Sequence, residues 1–147
     1  MTLTDKNGSA VYGFAGTATI TMCPGASYQD LLTSGATTSR LQGWFNKSVI
    51  CKVAAIGSDG SSGYGTAGQG IVTGPGQFNT DISIGKTTTV GGLRENAQLA
   101  FRTEFYNALN HPQFSNPGTI LGTATFGVIT QTSVAPRLIQ FGLKYAF

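Results

Sequence analysis

The sequence predicts an all-β chain of antiparallel strands with long loops, and three observations support this class. Charged residues make up only 10% of the 147 residues, well below the quarter that is usual in a soluble domain. The 21 glycines and many threonines suit strands and turns better than helices. The last ten residues, 138–147, alternate with a period of two, which is typical of a strand with one apolar face.

This closing segment also predicts contact with a membrane. Its length suits a strand that crosses a bilayer at a tilt. Two aromatic residues at its end would match the girdle of an outer-membrane β-barrel. The alternative is the last strand of a soluble β-sandwich. One face of the segment carries Ile139, Phe141, Leu143, Tyr145 and Phe147.

The N-terminal half predicts one strand and one large loop. Asn7-Gly8 is a turn signal, and residues 14–22 alternate between apolar side chains and threonines, which indicates a strand. Residues 23–76 contain proline, a glycine- and serine-rich run and only brief apolar stretches. We expect a long loop there, with helical turns near residues 28–32 and 39–45.

The C-terminal half predicts three strands. Residues 78–88 and 97–106 alternate, with a tight turn at Gly91-Gly92 between them, and a second long loop at 107–136 precedes the closing strand. This order places both long loops at one side and the short turn at the other, as in membrane barrels with long outer loops and short periplasmic turns. Phe101 and Phe105 would join the closing strand's residues on the face toward lipid or a partner.

Arg102, Glu104 and Lys144 fall on the opposite faces of their strands. In a barrel that face borders water or a plug, where charges are tolerated. These residues could line a surface that contacts the plug or the substrate. They could equally be solvated lumen residues that form cross-strand pairs.

Cys23 and Cys51 both lie in the first long loop, on the expected outer side. That side is oxidising, so a disulfide is plausible. The 27 residues between the cysteines would give a stabilisation of about 3–4 kcal/mol on the chain-entropy model. Two buried free thiols are the alternative.

Several kinds of site receive no support from the sequence. The net charge of +3 is small and dispersed, which argues against a nucleic-acid partner. His111 is the one histidine and stands beside Pro112, so it suits a structural or solvated role better than catalysis. Two scattered cysteines and one histidine predict no metal site, and residues 57–70 lack the ending of a phosphate loop. We therefore expect no enzyme activity and no cofactor.

Four segments resemble Oar-like TonB-dependent outer-membrane transporters. Residues 96–114, which end in NHPQF, are similar to that family's penultimate strand and the loop after it. Residues 136–147, PRLIQFGLKYAF, are similar to its closing strand. Residues 40–46 and 74–81 also resemble segments of the same barrel. The matches keep the family order across residues 38–147, and weaker likeness reaches Asn7. The resemblance implies a barrel of about 22 strands, with a plug and a TonB-contacting segment N-terminal to it.

The chain departs from that family because 1–147 corresponds only to the C-terminal portion of the barrel. Its first residues show no signal peptide, and we expect a fragment, a truncated reading frame or part of a longer protein. Four or five strands cannot close a barrel, so an isolated piece would be an open sheet with two unpaired edges. We expect it in the outer membrane, in contact with lipid or the remaining barrel strands. The main alternative is an extracellular filament whose copies pair through those edges, and a soluble adhesin is a third possibility.

Overall fold

The structure, a computed structural model, describes residues 1–5, 18–54, 64–91 and 96–147. The turn predicted at Asn7-Gly8, the run 57–63 and Gly92 lie outside the described residues. Two compact units are present. We call Met1–Pro75 with Ser115–Gln131 the loop unit, and Gly76–Phe114 with Thr132–Phe147 the sheet unit.

The described residues are mostly strands and irregular segments, with little helix. The strands are β1 (Thr4–Asp5), β2 (Ala18–Thr19), β3 (Thr21–Met22), β4 (Ile50–Cys51), β5 (Ile82–Thr89), β6 (Gln98–Tyr106), β7 (Ile120–Leu121) and β8 (Leu138–Ala146). The helices are α1 (Tyr28–Leu31) and the 3₁₀ helices Thr37–Arg40 and Lys47–Val49. The predicted all-β class is confirmed.

The loop unit contains two small sheets of two-residue strands. β1 lies between β2, which is antiparallel to it, and β7, which is parallel to it. β3 pairs antiparallel with β4 through Thr21–Cys51 and Met22–Ile50. The parallel pair departs from the antiparallel pattern that we predicted for the whole chain. It joins residues that are distant in sequence, which no local alternation can reveal.

A hydrophobic core holds the loop unit together. Its buried side chains are Leu3, Ile20, Leu31, Trp44, Phe45, Ala67, Val72, Phe126 and Ile129. Phe45 and Phe126 meet edge to face with ring centroids 5.1 Å apart. Trp44 donates its indole N–H to Thr73 O at 2.8 Å, and the Arg40 guanidinium lies 4.0 Å above its ring. The segments that we predicted as long loops thus pack around a shared core.

The predicted strand at residues 14–22 is present only in part. The described residues of this segment form β2 and β3, each of two residues, and Ile20 between them is fully buried. Residues 14–17 lie outside the described part. The helical turn predicted at 28–32 is confirmed as α1, whereas the second turn lies earlier than expected, at Thr37–Arg40.

The sheet unit is an open antiparallel sheet in the order β5-β6-β8. All three strands match predicted segments. β6 and β8 have nine residues each, which suits a tilted crossing of a bilayer, and β5 has eight. β5 begins at Ile82 rather than at Phe78. The Phe78 N–H donates to Gln113 Oε1 at 2.6 Å, and Phe78 O accepts from Gln113 Nε2, so this backbone is held by a side chain instead of a strand.

Candidate membrane-facing site

The pairing of the three long strands places every second residue on the same face of the sheet. Ile84 pairs with Thr103, which pairs in turn with Phe141, and directly paired residues of antiparallel strands share a face. The face that we call the apolar face carries Ile82, Ile84, Lys86, Thr88, Leu99, Phe101, Thr103, Phe105, Ile139, Phe141, Leu143 and Tyr145. The polar face carries Ser83, Gly85, Thr87, Thr89, Gln98, Ala100, Arg102, Glu104, Tyr106, Leu138, Gln140, Gly142, Lys144 and Ala146.

Most of the large side chains on the apolar face are exposed among the described residues. Phe141 is 71% exposed and Leu143 is 69% exposed. The Phe101 and Phe141 rings stack at 6.4 Å, and the Tyr145 and Phe147 rings lie 5.8 Å apart. Phe147 follows β8 directly and extends this face. The structure places on this one face the residues that we predicted to face lipid or a partner: Phe101, Phe105, Ile139, Phe141, Leu143, Tyr145 and Phe147.

The polar face carries a hydrogen-bonded network centred on Glu104. Arg102 Nη2 forms an ion pair with Glu104 Oε1 at 2.5 Å. Gln140 Nε2 donates to Glu104 Oε2 at 2.6 Å across the β6–β8 pair. The Tyr106 hydroxyl donates to the same oxygen at 3.3 Å. Arg102, Glu104 and Lys144 therefore share one face. Arg102 and Glu104 pair along β6, and Gln140 joins them from β8.

The long segment before β5 and the long β6–β8 connection join the sheet at the same end. Ile82, Phe105 and Ile139 are paired, so the start of β5, the end of β6 and the start of β8 lie side by side. The opposite end carries the short β5–β6 connection, where Val90 N–H donates to Ala97 O at 2.9 Å. This is the arrangement of long and short connections that the sequence predicted.

Asn107 forms several hydrogen bonds at the end of the sheet where the long connections begin. This residue is 4% exposed and has a positive φ of 49°. Its side chain accepts from His111 N at 3.0 Å and donates to Ala135 O at 3.2 Å. Its backbone N–H donates to Asp81 Oδ1 at 2.8 Å. An open cavity of about 340 Å³ beside it is lined partly by Asn107 and Pro136, and the Asn107 amide is already bonded within the loop.

The loop unit contains the predicted disulfide. Cys23 and Cys51 are bonded, with their Cα atoms 5.0 Å apart. Cys51 belongs to β4, and Cys23 directly follows β3, its partner strand. The short strand pair therefore brings the cysteines into bonding distance, and the alternative of two free thiols is excluded.

The described residues contain no cluster of metal ligands, and the lone histidine lies at the surface. No group of three or more histidine, cysteine, aspartate or glutamate side chains there could hold a metal ion. His111 is exposed, and its backbone, not its ring, bonds to Asn107. Among the described helices, none is long and apolar enough to cross a membrane.

Sequence reasoning did not single out Lys86. This residue lies on the apolar face, where it pairs with Phe101. The alternation of residues 82, 84, 86 and 88 could have placed it there.

Strands of bilayer-crossing length with one apolar and one polar face define a segment of an outer-membrane β-barrel. The family described as outer membrane beta barrel domain matches residues 1–140, and the chain belongs to this family. Its location is therefore the outer membrane. No curated protein matches the chain, and no solved structure matches it.

Proposed function

We propose that the chain is the C-terminal barrel segment of a TonB-dependent outer-membrane transporter and has no enzymatic activity. Membership of the outer membrane barrel family supports the membrane location. The resemblance of residues 96–114 and 136–147 to Oar-like transporters supports the narrower class. In this proposal the apolar face meets lipid, and the polar face borders the lumen and its plug.

The uncovered apolar face is the observation on which the orientation depends. Each large apolar side chain left in water loses roughly 1.5–3 kcal/mol of burial free energy. Six of the seven residues that we predicted on this face, all but Phe105, are at least 43% exposed, and together they would lose roughly 5–10 kcal/mol. That is comparable with the whole stability of a small domain. The face must therefore meet lipid, detergent or another protein surface.

Asp substitutions on the two faces test this orientation. We expect Phe141→Asp with Leu143→Asp to abolish flotation of the refolded chain with lipid vesicles, since both carboxylates would enter hydrocarbon. Gln140 directly precedes Phe141 and lies on the polar face, so Gln140→Asp should have much less effect. Equal loss in both variants, or a monodisperse monomer of the unmodified chain in plain buffer by light scattering, would refute the lipid-facing assignment.

The transporter assignment needs a different test. The DNA upstream of the Met1 codon should continue the reading frame into further barrel strands, a plug and a TonB-contacting segment. A frame that lacks a plug would argue against a TonB-dependent transporter and would leave the outer-membrane barrel standing.

A self-assembling surface filament is the second candidate. Within the described residues, β5 and β8 each pair on one side only, so both outer edges offer free backbone groups. Copies could join edge to edge. Electron microscopy of the chain released into detergent-free buffer distinguishes the candidates. Regular filaments would favour assembly, and amorphous aggregates that float with added lipid would favour the barrel segment.

A further inference from the structure

Lys86 is the one cationic residue on the apolar face of the described sheet. It is the fifth residue of β5, pairs with Phe101, and Phe101 pairs with Leu143. Its side chain is exposed, and no described carboxylate forms an ion pair with it. If this face meets lipid, Lys86 meets lipid as well.

An uncompensated lysine in that position would be costly. A lysine on the lipid face at the bilayer midplane destabilises a β-barrel by about 2–4 kcal/mol, and the cost falls to about 0–1 kcal/mol near the interfaces. The position of Lys86 along its strand decides which figure applies. Lys86 lies near the middle of β5, and Thr89, where the strand ends at the short β5–β6 connection, is the third residue after it.

These three residues span about 10 Å along the strand, or about 8 Å along the membrane normal at the usual tilt. A lysine that extends its apolar stem along the strand covers most of this distance and brings its ammonium toward the headgroups. Thr88 is the next residue of the same face in that direction, and the interfacial aromatic Tyr145 lies at the level of Thr88 and Leu99. The polar and aromatic groups thus converge on the interface nearest the short connection.

We propose that Lys86 binds the phosphate of an anionic phospholipid in the leaflet nearest the β5–β6 connection, with the Thr88 hydroxyl as a second donor. The partner follows from charge: an ammonium at headgroup depth on a lipid-facing surface meets phosphodiester groups. This inference rests on the lipid-facing assignment of the apolar face. It adds a lipid preference that the assignment alone does not require.

Vesicle flotation tests the inference. The full chain is refolded with vesicles of phosphatidylcholine alone, or of phosphatidylcholine mixed with phosphatidylglycerol, and the bound fraction is measured at low and high salt. We expect the unmodified chain to prefer the anionic vesicles. Lys86→Gln should lower this preference by about fivefold, which corresponds to about 1 kcal/mol for one basic residue near an anionic surface.

Lys144 provides a matched control because it lies in β8, on the polar face, level with Ala100 of β6. Lys144→Gln removes the same charge and should leave the preference unchanged. Lys86→Arg keeps the charge and should retain the preference.

Three outcomes would overturn the proposal. In the first, Lys86→Gln keeps the full anionic preference. In the second, it binds both vesicle types more strongly with an unchanged ratio, as expected if Lys86 lies in hydrocarbon or pairs with a carboxylate elsewhere. In the third, both lysine variants lose the preference equally. Failure of the unmodified chain to bind any vesicle would instead refute the lipid-facing assignment itself.

Discussion

The rings of Phe101 and Phe141 stack across β6 and β8 with their planes 26° apart. The two residues are not opposite each other, because Phe101 pairs with Leu143 and Phe141 with Thr103. Their contact therefore runs diagonally along the apolar face, at the distance that aromatic side chains can bridge. A shift of one residue in the pairing would move one ring to the polar face. The contact thus depends on the observed register.

A double-mutant cycle should detect this stack. We expect Phe101→Ala and Phe141→Ala to couple by about 0.5–1.5 kcal/mol in the free energy of unfolding, the usual value for an aromatic pair. The measurement is urea unfolding of the chain refolded in detergent. The pair Phe101 and Phe147 is the control, since Phe147 contacts Tyr145 and should show no coupling with Phe101 beyond error. Coupling of equal size in both pairs would contradict a specific stack.

The Cys23–Cys51 disulfide should stabilise the loop unit. Opening a loop of this length costs about 3–4 kcal/mol on the chain-entropy model. We expect Cys23→Ser with Cys51→Ser to increase proteolysis within residues 1–75, while β6 and β8 stay protected. Limited proteolysis with mass analysis measures this. Two free thiols in the unmodified protein from the cell surface, by non-reducing mass analysis, would contradict the bridge.

Asn107 should be sensitive to substitution for two separable reasons. Replacement by Gly removes the partly buried bonds to His111 and Ala135 and should cost about 1–3 kcal/mol, because each such hydrogen bond contributes about 0.5–1.5 kcal/mol. Replacement by Ala should cost about 1–2 kcal/mol more, since an L-residue is strained at a φ of 49°. Urea unfolding of both variants measures the difference. Equal stabilities of the Gly and Ala variants would show that the backbone conformation is not constrained.

Asp30 should titrate below its ordinary pKa of 3.8. The Ser27 backbone N–H donates to Asp30 Oδ2 at 2.8 Å, and the Ser27 hydroxyl donates at 2.8 Å as well, so both favour the carboxylate and lower the pKa. The stability that the ionised Asp30 carboxylate contributes is complete above pH 3.8, the pKa of the unfolded chain. It is lost as the pH falls through the lowered pKa of the folded chain. Carbon NMR titration measures this pKa. Ser27→Ala should raise it part of the way back, and no change would rule out the hydroxyl as a cause.

The sequence by itself determined the three long strands and their faces. Period-two alternation is a local property, so residues 97–106 and 138–147 could be read correctly without any contact. The same alternation placed Arg102 and Lys144 on the polar face, on the other side of the sheet from Phe101 and Leu143. The strand predicted at 78–88 was less accurate at its start, because the Gln113 side chain, distant in sequence, holds Phe78.

Only the tertiary structure showed how the long connections are ordered and packed. Residues 23–76 and 107–136 lack periodicity, and we predicted loops. Their order comes from contacts between remote residues, such as the Phe45–Phe126 ring pair and the parallel pairing of Thr4 with Ile120. The Cys23–Cys51 bond stayed one of two alternatives for the same reason, because bonding needs Cα atoms within about 7 Å and spacing in sequence does not measure distance.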